Sequence, residues 1–339
     1  MAVQSIVTGS SGPFALRASG SSLATALERW LEARQPGAAV AEAAMSADHT
    51  VLVDAGWAGE PHRLVVRLGP TGQFDARLQF LTLQRLAAQL ARPAVPSALW
   101  CEDDADLLGA PFFVMTYVDG LTTAKYQTPY TFASWITEAT AAERERMQVA
   151  MLQQLARVHA ATPADFAFLD RRRPGESVLA AHVRRTAERY DAVSAAGLRA
   201  PRIERAFTWL REHWPSESTP VLCWGDARID NAIYRDFSTV TLTGWRHATL
   251  APRELDLGAM ILNHRFADDL AHAAGKPGLP DFLHPADVVA TYADISGYQP
   301  ADLDFYIAYA ALIHAIEKLR SPLRTSAFKT LDDAMGDER

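Results

Sequence analysis

The sequence predicts an α+β protein in two lobes, a strand-rich first part followed by a mainly helical remainder. Three observations predict it. Short alternating apolar runs crowd the segment before residue 118, longer runs of helical period fill the chain after residue 121, and 339 residues are enough to bury two cores. The expected division is 1–118 for the N-terminal lobe and 119–339 for the C-terminal lobe, with a cleft between them.

Composition narrows the class. Apolar residues make up 49% and charged residues 22%, ordinary values for a globular protein in water. A net charge of -7 argues against a general nucleic-acid binder, whose surface is usually basic. The two cysteines, Cys101 and Cys223, are far apart and lack metal-ligand spacing. No run is apolar for long enough to span a bilayer, and MAVQSIVTGSSGPFALRASGSSL lacks the charged start and apolar stretch of a secretory signal. A reduced, cytoplasmic protein is the expectation.

The elements follow in order. Residues 22–34, SLATALERWLEAR, put Leu23, Leu27, Trp30 and Leu31 on one stripe of a helix. HTVLVDAGW (49–57) and RLVVRLG (63–69) read as paired strands around the polar tip Ala58-Gly59-Glu60-Pro61. Residues 75–91 form a helix that stops before Pro93. ALWCED and APFFVMTYVDG supply a second β-rich stretch that ends on the turn pair Asp119-Gly120.

Helices then dominate. Thr140 to Glu143 is a capping-box pattern ahead of a helix to about Ala161. Helices are expected at 176–196 and 200–214, and three more, at 253–265, 285–296 and 301–320, close the chain. Between these two groups, WGDARIDNAIYRDFSTVTLTGW (224–245) reads as short strands carrying a loop.

That loop carries the chemistry. Phosphoryl transfer needs a carboxylate to position an acceptor hydroxyl and take its proton, for which Asp226 is the candidate. It also needs oxygen ligands for a hard cation, for which Asn231 offers an amide oxygen. By itself G-D-x-x-x-x-N is unspecific, since Gly, Asp and Asn are common turn residues. Its place between strand-like VLCW and AIY raises its weight, because sites gather in loops at strand ends.

VLCWGDARIDN (221–231), APRELDLGAM (251–260), LLGAPFFVMTYVDG (107–120) and RLVVRLGP (63–70) together resemble the aminoglycoside phosphotransferase and choline kinase family. The closest likeness is to the phosphotransferase enzyme family branch, some of whose members are associated with acyl-CoA dehydrogenases; no residue pattern points to a flavin site. The likeness implies a two-lobed protein-kinase-like fold that uses ATP or GTP with Mg2+ to phosphorylate a small hydroxylated molecule. Neither nucleic acid nor membrane is an expected partner, and oligomeric state is left open. It also implies roles by position. Arg67 stands where the donor phosphates are gripped, Gln79 where an acidic helix residue would pair with that cation, and Met115, Thr116 and Tyr117 where a hinge strand meets the base. Asp256 matches a structural aspartate that anchors the loop.

The pattern also breaks. Gly244 and Arg246 replace the Asp and Glu of the family's Asp-Trp-Glu, so the main carboxylate ligand of the metal is missing. Asp230 replaces a glycine and is a weak substitute ligand. The segment AEAAMSADH, expected to be the loop over the phosphates, has no glycine and offers only Ser46 as a donor. Two readings follow: a phosphotransferase with an impaired metal site, or a catalytically silent pseudokinase that binds or regulates. Elsewhere, His159 is expected to pack at a helix end, His247 is a minor candidate for a place near position 244, and Arg171-Arg172-Arg173 reads as a solvated loop, with binding of an anionic substrate as the alternative.

Overall fold

The computed structural model describes residues 20–46, 49–69, 75–90, 95–123, 129–216 and 218–336. It divides into two compact units, one formed by residues up to Phe80 with Ala98–Tyr117, the other by Leu81–Ser97 with the chain from Val118 onward.

In the first unit, α1 (Gly20–Glu32) precedes a five-stranded sheet of order β1-β2-β3-β5-β4, antiparallel throughout. Its strands are β1 (Ala39–Ser46), β2 (Thr50–Trp57), β3 (Glu60–Leu68), β4 (Ala98–Glu102) and β5 (Phe112–Thr116), with α2 (Ala76–Gln89) between β3 and β4. One face is apolar because alternate residues point the same way: Val51, Val53 and Ala55 on β2, and Leu64, Val66 and Leu68 on β3. Against that face lie Leu23, Leu27, Trp30 and Leu31, the predicted stripe of α1. Trp30 packs 5.0 Å from Phe112 and satisfies its indole N–H on Glu102 Oε2 at 2.9 Å. The β2–β3 hairpin closes at Ala58-Gly59, both with positive φ (51° and 79°), the geometry that matches strand twist.

One expectation fails here. AEAAMS is not a loop but most of β1, paired with β2 from Ala39↔Gly56 to Ser46↔Thr50. The strand left no periodic signal because it is an edge strand exposed along most of its length. The tip between β1 and β2 falls on residues 47–48, which lie outside the described residues, and Ser46 is the last residue of β1.

The second unit is helical around two small β pairs. Its helices are α3 (Ala141–His159), α4 (Val178–Ala195), α5 (Pro201–Glu212), α6 (Glu254–Ala273), α7 (Pro285–Ser296), α8 (Leu303–Glu317) and α9 (Arg324–Ala334). Thr140 and Glu143 exchange both bonds of the capping box at the start of α3. β6 (Val221–Cys223) pairs with β9 (Thr249–Ala251), and β7 (Ala232–Arg235) pairs with β8 (Ser238–Leu242). α8 is buried over nearly its whole circumference from Phe305 to Leu312, which makes it the central helix of the unit. It crosses α6 closely enough that a Cβ at Gly258 would stand 2.7 Å from the Tyr306 carbonyl carbon. Helix α6 runs longer than expected because Phe266, Ala267 and Ala271 keep its buried face going. Helix α9 was not predicted at all; its apolar residues are sparse, and Ala327 and Leu331 are buried only by tertiary packing.

Candidate active site

The loop after β6 is set by what holds its ends. Trp224 is fully buried, and Gly225 follows in the left-handed region (φ 79°). No other residue fits at 225, since an added Cβ would meet the His247 carbonyl oxygen at 1.9 Å. The backbone N–H groups of Trp224 and Gly225 both donate to the Asp256 carboxylate, each at 2.7 Å. Asp256 lies in the first turn of α6 and is wholly buried.

The same carboxylate is met by His159 Nε2 at 3.0 Å, and His159 Nδ1 lies 2.7 Å from the Tyr292 hydroxyl. A carboxylate only accepts, so Nε2 donates to Asp256, while Nδ1 and the tyrosine hydroxyl share the second bond. One chain of bonds thus ties the loop to α3, α6 and α7. His159 therefore orients Asp256 as well as packing at the end of α3. Cys223 Sγ is close to both, but it faces the carbonyls of Ala251 and Pro252, and burial pushes its thiol well above the usual range. The cluster is a hydrogen-bonded knot around one accepting carboxylate, beside a thiol kept protonated by burial, rather than a ligand set.

Asp226 points its carboxylate at Arg228, with Nε 2.9 Å from Oδ1 and Nη2 donating to Oδ2 at 3.0 Å. Its side chain keeps 22% of its surface accessible, so a ligand can reach it. Burial works against the charge on Arg228, yet Asp226, then Asp230 and Glu317, hold its pKa above the ordinary value. Sequence reasoning missed Arg228; the one signal was that it is the only cation between Asp226 and Asn231.

Asn231 is fully buried, and its Nδ2 donates to the Asp226 carbonyl at 2.8 Å. Its Oδ1 is buried without a partner, which is costly for an amide oxygen unless a ligand meets it. Thr243 donates both its N–H (2.7 Å) and its hydroxyl (2.9 Å) to the Asn231 carbonyl, which fixes the two strands at this end. Gly244 comes next, left-handed at φ 75°, and a Cβ there would stand 2.9 Å from the lone Oδ1. Positions 231 and 244 are therefore adjacent, as the resemblance implies, but only one of them supplies an oxygen side chain. Asp230 accepts a bond from the Thr123 hydroxyl at 2.6 Å and is committed there.

The neighbours of position 244 are basic. Arg246 is exposed and lies with Nε 3.3 Å from His247 Nε2. Burial lowers the His247 pKa to about 4, helped by the fields of Arg246, Arg189 and Arg228 and opposed by Asp226. His247 is thus a neutral ring near Asp226 at ordinary pH.

The predicted residues of the first unit occupy one sheet and the start of α2. Arg67 on β3 donates to the Thr50 hydroxyl across the β2–β3 ladder. Gln79 is buried with its Nε2 unpartnered. Met115 and Thr116 sit on β5 opposite Val65 and Leu64, and the Tyr117 N–H donates to the Arg63 carbonyl at 3.0 Å.

The family profile of the phosphotransferase enzyme family matches residues 39–285, most of the chain and both halves of this loop system. The chain belongs to the phosphotransferase enzyme family. The mouse (Mus musculus) protein acyl-CoA dehydrogenase family member 10 is 24% identical over 274 residues, which are 76% of this chain and 24% of that protein. The chain thus spans about a quarter of the length of this curated relative. A crystal structure of a putative aminoglycoside phosphotransferase from Ralstonia eutropha aligns with a TM-score of 0.63 at 18% identity, covering 92% of this chain and 95% of that one. Aminoglycoside phosphotransferase APH(4)-Ia in complex with ADP and hygromycin B aligns with a TM-score of 0.59 at 10% identity, covering 92% and 98%. The GDP complex of aminoglycoside 2'-phosphotransferase-IIIa gives 0.56 at 11%, covering 93% and 99%. This phosphotransferase-family chain therefore has the kinase-like fold, with an antiparallel-sheet N-terminal part and a helical C-terminal part. No helix of the described residues is long and apolar enough to cross a membrane.

Proposed function

We propose that this phosphotransferase-family protein moves the terminal phosphoryl group of ATP or GTP to the hydroxyl of a small molecule, at a site whose metal centre is impaired. The observation that carries the reading is that one loop presents an accessible carboxylate, Asp226, and an unpartnered buried amide oxygen, Asn231 Oδ1. In the proposed step the acceptor oxygen forms a bond to the γ-phosphorus, and the bond from that phosphorus to the β,γ-bridging oxygen breaks. The hydroxyl proton passes to Asp226, and the nucleoside diphosphate leaves. Arg228 and Arg67 are the proposed fixed charges for the phosphate oxygens, since a guanidinium keeps its proton and forks onto oxyanions. Met115, Thr116 and Tyr117 are proposed to meet the base, and Ser46 and Gln79 to line the donor side.

The donor set does not fit a magnesium ion held by the protein. Magnesium is usually anchored by one or two carboxylates beside the substrate phosphates. Gly244 offers none, Asp230 is bonded to Thr123, and Asp226 is paired with Arg228. The buried oxygen left without a partner here is the neutral Oδ1 of Asn231, so no step is assigned to the metal. The same shortage favours a second reading, a silent module that binds a ligand without turnover.

Calorimetric titration with ATP and GTP, with and without magnesium, followed by single-turnover assays on a panel of hydroxylated compounds, separates the two. Turnover that falls about 100-fold or more in Asp226→Asn, with nucleotide affinity kept, supports the phosphotransferase. Nucleotide binding with no turnover on any acceptor supports the silent module.

A further inference from the structure

Helix α4 carries an arginine cluster that the phosphoryl transfer itself does not explain. On α4, His182, Arg185 and Arg189 recur along one stripe (i, i+3, i+7). Bonds to α8 set that stripe in place: the buried Tyr309 hydroxyl lies 2.6 Å from His182 Nδ1 and 2.9 Å from Thr186 Oγ1, and Arg189 Nη2 donates to Thr186 Oγ1 at 3.2 Å.

Arg185 and Arg189 are exposed, and neither makes an ion pair with a carboxylate among the described residues. The acidic residues beside them are taken: Glu176 holds Arg184, and Glu188 holds Arg184 and Arg173. Partial desolvation, then the fields of Arg171, Arg189 and Arg184, depress the proton affinity of Arg185. It is a cation among cations.

The field reaches the loop. Arg189 acts on His247 and on Glu317 at the end of α8, and both of these also feel Asp226 and Arg228. Glu317 is exposed, with its carboxyl pKa raised by desolvation first and Asp226 second. Helix α4 packs on β9, the strand that begins two residues after His247 and pairs with β6, whose end leads into the Asp226 loop. His182 and His247, held neutral at about 3 and about 4, add no charge at ordinary pH. Arginines therefore outnumber the two carboxylates, Asp226 and Glu317, in a chain whose net charge is -7.

We propose that the acceptor carries an anionic group, a phosphate or a carboxylate, that binds Arg185 and Arg189 while its hydroxyl meets Asp226. This rests on the phosphotransferase reading for the hydroxyl, but not for the anion site. Two guanidiniums on one helical face, without carboxylate partners, match the oxygens of such a group. A polycationic aminoglycoside would meet like charge instead.

The test is calorimetry on the full chain with glycerol 3-phosphate, 3-hydroxybutyrate, glycerol and kanamycin, repeated on Arg185→Gln/Arg189→Gln and Arg185→Lys/Arg189→Lys. Binding of either anion, at least tenfold weaker in the Gln variant and partly kept in the Lys variant, is expected; glycerol and kanamycin should bind no better than buffer. Thermal unfolding and nucleotide affinity should match wild type in both variants. Failure of both anions, tighter binding of kanamycin, or anion binding indifferent to the Gln variant overturns the proposal. The relative affinity of the two anions tells phosphate from carboxylate. Arginine-dependent anion binding in a protein that binds no nucleotide would leave this site standing and remove the phosphotransferase reading.

Discussion

Gly244 shows what a single side chain decides. The space its Cβ would take is filled by the Asn231 amide, 2.8 Å from Cγ, and its backbone is left-handed. Gly244→Ala is therefore expected to cost about 1–2 kcal/mol, from φ strain and displacement of the amide. Gly244→Asp should cost the same, yet raise magnesium-dependent ATP affinity at least tenfold by adding the missing carboxylate. Denaturant melts and calorimetry on the pair check this; a gain in the Ala variant, or none in the Asp variant, would place the defect elsewhere. Asp226 and Asn231 stand out by spacing because they share one short loop, and Gly244 stands out only against the pattern that the resemblance implies. Arg228 does not stand out, because only the fold of the loop turns a residue two positions on back towards Asp226.

At the scale of elements, the Asp226 loop is positioned by helices that are distant in sequence. Asp256 on α6 holds two backbone N–H groups and His159 of α3 in one buried carboxylate. In Asp256→Asn one oxygen becomes an NH2 that faces donors, so a buried N–H loses its acceptor. A loss of about 3 kcal/mol is expected, read as a lower urea midpoint with unchanged m. Asp256→Glu keeps the charge but overfills the site, and should recover only part of this. Helices with strong periodicity or a capping box, such as α1 and α3, were legible in the sequence. β1 and α9 were not, because an exposed edge strand and a sparsely apolar helix take their stability from neighbours rather than from their own pattern.

At the scale of the molecule, the second unit stores neutral histidines. His182 and His314 are held at about 3 and His247 at about 4, in each case first by burial. The unfolded chain protonates these rings near pH 6.5 while the folded one does not. Stability is therefore full above that pH and falls as pH drops through the window from about 6.5 to 3. Each ring adds up to about 1.4 kcal/mol per pH unit to the slope. Urea midpoints measured from pH 7.5 to 4 should decline steadily. His314→Gln, whose Nε2 has no partner to lose, should flatten the decline.

By itself the sequence determined the order of a sheet-rich part before a helical one and the place of Asp226 and Asn231 on one short loop, since these follow from local period and from spacing along a few residues, while the family came from resemblance over several motifs. Tertiary structure alone decided that the Asn231 oxygen is left unpaired beside Gly244, that Asp230 accepts from Thr123, and that α4 presents Arg185 and Arg189 without carboxylate partners among the described residues. The reason is physical: burial, pairing and electric field are sums over groups from many parts of the chain, and no window of sequence contains them.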